Sequence, residues 1–151
     1  MLADIQRFFQ QLLAEPEREE KSAPTLELAV AALLCEVMRA DYQEEPSQLE
    51  ALREMLSRQL AVEGAAIDEL VALAREEAES SVDHYQFVRL IKEHYDYPGR
   101  FTLVRMMWDL ALADGSHHHL EEHRIRQLAE LLHVSHGDFI RAKLEAQDAV
   151  A

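Results

Sequence analysis

The sequence predicts an all-α fold: a compact bundle of about eight helices containing an internal helix-loop-helix duplication. Three observations support it. Apolar side chains recur at spacings of three and four along nearly every segment, the period of a helix with one buried face. Only four glycines and four prolines punctuate 151 residues, and glycines 64, 99, 115 and 137 each fall where that period breaks. No stretch alternates apolar and polar residues as a half-buried strand does.

Element by element, Leu2, Ile5, Phe8, Phe9, Leu12 and Leu13 set the phase of an opening amphipathic helix that ends before Pro16, whose ring lacks the N–H the ladder needs. "EPEREEKSAP" follows as a polar linker. Thr25 is the expected N-cap of a second helix, and its Leu26, Ala29, Val30, Leu33, Leu34, Val37 and Met38 form a stripe broad enough for a central, largely buried position. "SQLE" at 47–50 is a capping box opening a third helix, with Leu49, Leu52, Met55, Leu56 and Leu60 inward until "AVEG". A fourth helix carries Ile67, Leu70, Val71 and Ala74, and its "EEAES" at 76–80 is an exposed face. Ser80 or Ser81 opens a fifth with Tyr85, Val88 and Ile91, closed by Pro98 and Gly99. Phe101 to Ala113 form the sixth, Leu120 to Leu132 the seventh, and "SHGD" at 135–138 caps an eighth containing Phe139 and Ile140. Trp108, Met106, Met107, Tyr85 and Phe87 are expected in the core. His84, His94, His133 and His136 stand near helix ends, where capping accounts for them.

A single domain over residues 1–151 follows from the length, since a chain of this size buries roughly two-thirds of its unfolded surface without metal or disulfide. Within it, a shift of 73 residues lays "LLCEVMRAD" at 33–41 on "MMWDLALAD" at 106–114. Glu36 then meets Asp109, Val37 meets Leu110 and Asp41 meets Asp114; beyond the loops Leu52 and Arg53 fall on Ile125 and Arg126. The repeat units run approximately over 26–60 and 101–132. Each is an apolar helix with an Ala-Asp ending, a polar loop and another apolar helix, a pattern that suggests a pseudo-twofold core.

Composition narrows the function. Fifteen Lys and Arg against 29 Asp and Glu give a formal charge of −14. Such a surface repels phosphate backbones, so no nucleic-acid partner is expected. It suits cations or a basic protein partner, with a homodimer as a further arrangement. The single cysteine, Cys35, lies in an apolar helical pattern as a small core residue. The start of the chain has no basic n-region or cleavage site, and nowhere do 18 apolar residues run together, which predicts a soluble, cytoplasmic protein without direct membrane insertion.

The chemistry concentrates in "ADGSHHHLEEH" at 113–123. Two readings of the residues stand side by side. His119-Leu-Glu-Glu-His123 fits H-x-x-E-H, in which two histidines one helical turn apart bind zinc and a glutamate activates water for hydrolysis. A catalytic site also needs a third protein ligand and a cleft, for which a helix entrance in a small domain leaves little room. The second reading uses both repeats. "LALADGSHHHLEEHRIRQLAELLHVS" resembles the second acidic motif of the tellurite-resistance protein B-like (TerB-like) family: an apolar helix, Ala-Asp-Gly, then an acid seven positions after the Asp. Those positions are Asp114, Gly115 and Glu121. "EVMRADYQEEPSQLEALREML" resembles the first motif, led by Asp41.

The resemblance, which also takes in "MLADIQRFFQQLL" and "SSVDHYQFVRLIKEHY", implies an all-helical domain of seven to nine helices. It further implies an association with bacterial stress responses including tellurium oxyanion resistance, an acidic metal site, and no established enzymatic activity. Similar domains precede J-domains in membrane-anchored co-chaperones, which fits an interaction module.

Physical chemistry is compatible with the site. An Asp ending one helix and a Glu opening the next can converge on one cation, while Gly115 keeps the turn free of clashes. A metal-free alternative has Glu121 at a helix N-terminus and Asp114 bonded to loop backbone. The first repeat departs from the pattern: position 48 is Gln where an acid is expected, and position 42 is Tyr where the second repeat has Gly. Glu45 and His118, each four residues after its leading Asp, complete the candidate set of Asp41, Glu45, Gln48, Asp114, His118 and Glu121. With the histidine this donor set suits Zn²⁺, Mn²⁺ or Ni²⁺; without it, a hard cation such as Ca²⁺. The spacing is not that of an EF-hand. His117, His119 and His123 are solvated in this reading. The expected function is a non-enzymatic, stress-associated module with a divalent-metal site between acidic loops. The alternatives are a metal-free protein-protein interaction module and a zinc-dependent hydrolase.

Overall fold

A computed structural model describes Ile5 and residues 25–41, 46–80, 85–113 and 119–150, without the side chains of Asp41 and His119. Among these residues the secondary structure is helical throughout. α1 (Leu26–Met38) is the second of the predicted helices, and its Thr25 Oγ1 accepts a hydrogen bond from the Leu28 N–H at 3.2 Å, the expected cap. Every residue from Leu28 to Met38 is buried. A helix apolar on all sides must be covered on all sides.

A 3₁₀ turn, Arg39–Asp41, continues α1, and α2 then runs Pro46–Leu60. Here the capping box is corrected. The helix already begins at Pro46, so Ser47 lies inside the first turn; proline suits that position because its missing N–H would have no helical acceptor. Leu52, Met55 and Leu56 are buried as expected. Ala61 (φ 55°) and Gly64 (φ 64°) turn the chain in the left-handed region before α3 (Ala65–Ser80). Ile67, Leu70, Val71 and Ala74 line its buried face, and within "EEAES" the four polar residues are exposed while Ala78 is buried.

α4 spans Tyr85–His94 and α5 Tyr97–Ala111. Two expectations fail here. Tyr85 is 60% exposed, whereas Phe87, Val88 and Ile91 are buried. Two helical steps turn a side chain by roughly 200°, so Tyr85 and Phe87 cannot share the inner face. Pro98 and Gly99 do not close α4; they sit in the first turn of α5, where Asp96 Oδ1 accepts from the Gly99 N–H at 2.9 Å. Proline cannot continue a helix inward but readily starts one.

α6 (His119–Leu131) and α7 (His136–Val150) complete the bundle. His133 sits at φ 60°, with Val134 N–H bonded to the Ala129 carbonyl at 2.9 Å and His133 N–H to the Glu130 carbonyl at 3.1 Å. This is a Schellman ending, with histidine where glycine is usual. Ser135 Oγ accepts from Asp138 N–H at 3.2 Å and caps α7, as "SHGD" predicts. His94 Nδ1 lies 3.0 Å from the Leu90 carbonyl oxygen one turn back in α4.

α1 packs against α2, α3, α4, α5 and α6, and α5 against α1, α2, α6 and α7. The two middle helices are therefore the first helices of the two predicted repeat units. Each unit's first helix also touches the other unit's second helix, α1 with α6 and α5 with α2. That reciprocal pattern is what a twofold arrangement of the units requires. Trp108, fully buried in α5, meets Phe139 of α7 at 5.5 Å between ring centroids, and Lys143 lies over the indole at 5.5 Å. Met106, Met107 and Cys35 are buried too. Ile5 is helical and 8% exposed; the remainder of the predicted opening helix lies outside the described residues. Among the described residues, no helix is long and apolar enough to cross a membrane.

Candidate functional site

Two of the six candidate residues meet in the interior. Gln48, in the first turn of α2, is 1% exposed, and Glu121, in the first turn of α6, is fully buried. Gln48 Nε2 donates to Glu121 Oε2 at 2.8 Å and lies 3.4 Å from the Leu110 carbonyl in the last turn of α5. One of the carbonyls that α5 cannot satisfy internally thus gains a donor from the other repeat unit. A hydrogen bond to a carboxylate is charge-assisted, and burial strengthens it further. The other amide atom, Gln48 Oε1, is buried and has no hydrogen-bond partner among the described residues.

These two residues are separated by 73 positions, the same shift that superposes the two repeat units. Residues that a twofold axis exchanges can touch each other only on that axis. The Gln48–Glu121 contact therefore marks where the symmetry of the halves passes through the core.

The 3₁₀ turn that ends in Asp41 packs against α6, so the leading acid of the first unit is carried on backbone adjacent to the helix that bears Glu121. Nothing further is described for the side chain of Asp41, and Glu45, Asp114 and His118 lie outside the described residues. Among the described residues, no three His, Cys, Asp or Glu side chains group closely enough to hold a metal ion.

Sequence reasoning passed over a second buried acid beside this site. Glu36 of α1 is 5% exposed; its Oε1 lies 3.4 Å from Arg124 of α6 and its Oε2 3.5 Å from Arg39. Arg39 also donates to the Ala78 carbonyl of α3 at 3.0 Å. A buried carboxylate needs such partners, because leaving water costs a charge several kcal/mol unless an opposite charge compensates it. Arg124 follows Glu121 by one helical turn, so the ion pair fastens the start of α6 to α1. The available signal was an acid inside an otherwise apolar run, matched to Asp109 by the repeat.

Of the hydrolase residues, His123 is exposed and Glu122 is engaged by Lys143 Nζ at 3.2 Å. The Lys143 ammonium occupies one of that carboxylate's oxygens.

The family model described as "Tellurite resistance protein TerB" matches residues 27–144, from the start of α1 to the last turns of α7. No curated protein and no solved structure matches the chain significantly. The matched span covers both repeat units and the axial Gln48–Glu121 contact, and the chain belongs to the TerB tellurite-resistance family.

Proposed function

We propose that this tellurite-resistance family member is a non-enzymatic module that holds one divalent cation where its two acidic loops meet. The ligands would come from Asp41, Glu45, Gln48, Asp114, His118 and Glu121, and the stress-associated role would act through the loaded or empty state of that site. The observation that carries the reading is the buried Gln48 Oε1. An amide oxygen on a side chain 1% exposed, with no donor among the described residues, is a costly group, and that side chain is already in contact with a fully buried carboxylate. Turned over, the amide would set that oxygen beside the carboxylate, and oxygen donors brought together out of water are what a hard or borderline cation selects. The donor set fits Zn²⁺, Mn²⁺, Ni²⁺ or Ca²⁺; the cation would supply the positive charge that neutralises the acids of both loops.

A second reading rests on a different feature. An open groove of about 620 Å³ between α2 and α3 is lined by Glu50, Glu54 and Glu63 with Arg53 and Arg58. Arg53 is already paired with Asp68 at 2.9 Å, which leaves the acids in excess. A basic segment of a protein partner fits that balance, without any metal.

Titration calorimetry with each divalent ion on the chain and on Asp114→Ala and Glu121→Gln tests the first reading. Binding with about one ion per chain, weakened about tenfold or more by either substitution, is the expected result. Absence of heat and of bound metal with all four ions would overturn it and leave the groove reading standing.

A further inference from the structure

The axial contact makes Gln48 more than a weakened ligand. Its Nε2 faces two acceptors at once, the Glu121 carboxylate at 2.8 Å and the Leu110 carbonyl at 3.4 Å. An acid at this position would turn both approaches into repulsion: two carboxylates in contact inside the core, and a carboxylate against a helix-end carbonyl whose dipole is already negative. A cation between them, or a proton shared by the two acids, would relieve that. The amide removes the need, because its N–H supplies the positive end that an ion would otherwise bring.

We infer that Gln48 is a specificity-determining residue that sets ion-free stability and cation affinity against each other, so that this chain stays folded with its acidic site empty and binds its ion more weakly for it. The affinity half of this inference rests on the proposed metal site; the stability half rests only on the contact itself. Gln48 also has two roles that a single side chain cannot fill in one orientation. With Nε2 on Glu121 the amide closes the site. Offering Oε1 to an ion on the side of Glu121 requires the amide to turn over and release that carboxylate.

The test is a swap across the axis, read with chelator present and again with added Mn²⁺ or Zn²⁺. Gln48→Glu alone should lower Tm in chelator by about 5 °C or more. The double variant Gln48→Glu/Glu121→Gln restores one amide facing one carboxylate and should recover at least half of that shift. With metal added, Gln48→Glu should regain stability and bind the ion about tenfold or more tightly than the unaltered chain. A Gln48→Glu chain as stable in chelator as the original would overturn the inference. So would a double variant whose loss is the sum of the two single losses; should Gln48→Glu alone fail to fold, a double variant that also fails to fold overturns the inference. If the unaltered chain binds no divalent ion, the proposed metal function fails, and the chelator arm still decides the role of Gln48.

Discussion

At the scale of single residues, polar side chains are placed where the helices cannot satisfy themselves. Tyr97 illustrates it: its hydroxyl donates to Asp138 Oδ2 at 2.6 Å and accepts from the Ser135 N–H at 3.1 Å, joining the start of α5 to the start of α7. The hydrogen bond from Tyr97, followed by that from Arg141, holds the Asp138 carboxyl below its ordinary value of 3.8. A carboxyl whose folded pKa is depressed lends stability that is fully present above the unfolded pKa and is lost as pH falls through the folded one. Tyr97→Phe should therefore raise the Asp138 pKa toward 3.8, visible as a shifted midpoint in a carboxyl NMR titration, and should shrink the stability lost between about pH 5 and pH 2. An unmoved midpoint would show that Arg141 and Ser135 set it without Tyr97. Residue identity also explains what the sequence could not display. Gln48 and Glu121 were both legible as candidates from spacing, but their contact spans 73 positions and exists only once two helices have docked. Glu36 was visible as an odd acid in an apolar helix, yet its meaning depends on Arg124, which arrives from another helix.

At the scale of elements, helices were legible wherever one buried face and one cap coincide. Thr25 for α1 and Ser135 for α7 do what their positions announce. Boundaries were missed where one residue type serves opposite purposes. Proline ends a helix from within and begins one at its first turn, so Pro46 and Pro98 were each placed on the wrong side of a boundary. Tyr85 was misplaced because an aromatic residue near a helical stripe resembles core until the stripe's phase is fixed by Phe87, Val88 and Ile91. The end of α6 carries a cost that a substitution can recover. His133 occupies the left-handed region at φ 60°, where a Cβ is disfavoured and glycine is at ease. His133→Gly should leave the Schellman hydrogen bonds intact and stabilise the chain by about 0.5–1 kcal/mol in urea denaturation. A loss of stability would mean that the His133 side chain contributes more than its backbone costs.

For the molecule as a whole, α1 and α5 tie every other described helix to a shared interior, so the described chain should unfold as a unit rather than by halves. The single tryptophan is well placed to report it, since Trp108 is fully buried between α5 and α7. Phe139→Ala removes its ring neighbour and should cost about 3–5 kcal/mol, with fluorescence and far-UV circular dichroism transitions still coincident. A fluorescence transition that precedes the dichroism one would show α7 leaving first. The overall charge of −14 was legible from composition alone, but its arrangement into a groove of exposed acids on α2 and the turn that follows it required the fold.

The meeting of Gln48 with its own counterpart has a consequence for how such a chain can change over generations. Away from the axis a position and its counterpart do not meet, so either can be replaced without its counterpart having to match it. On the axis that freedom is absent: whatever one half installs, the other must accommodate face to face. Under the proposed role of Gln48, the difference between an amide at 48 and a carboxylate at 121 is the form of mismatch that lets the two halves close upon each other.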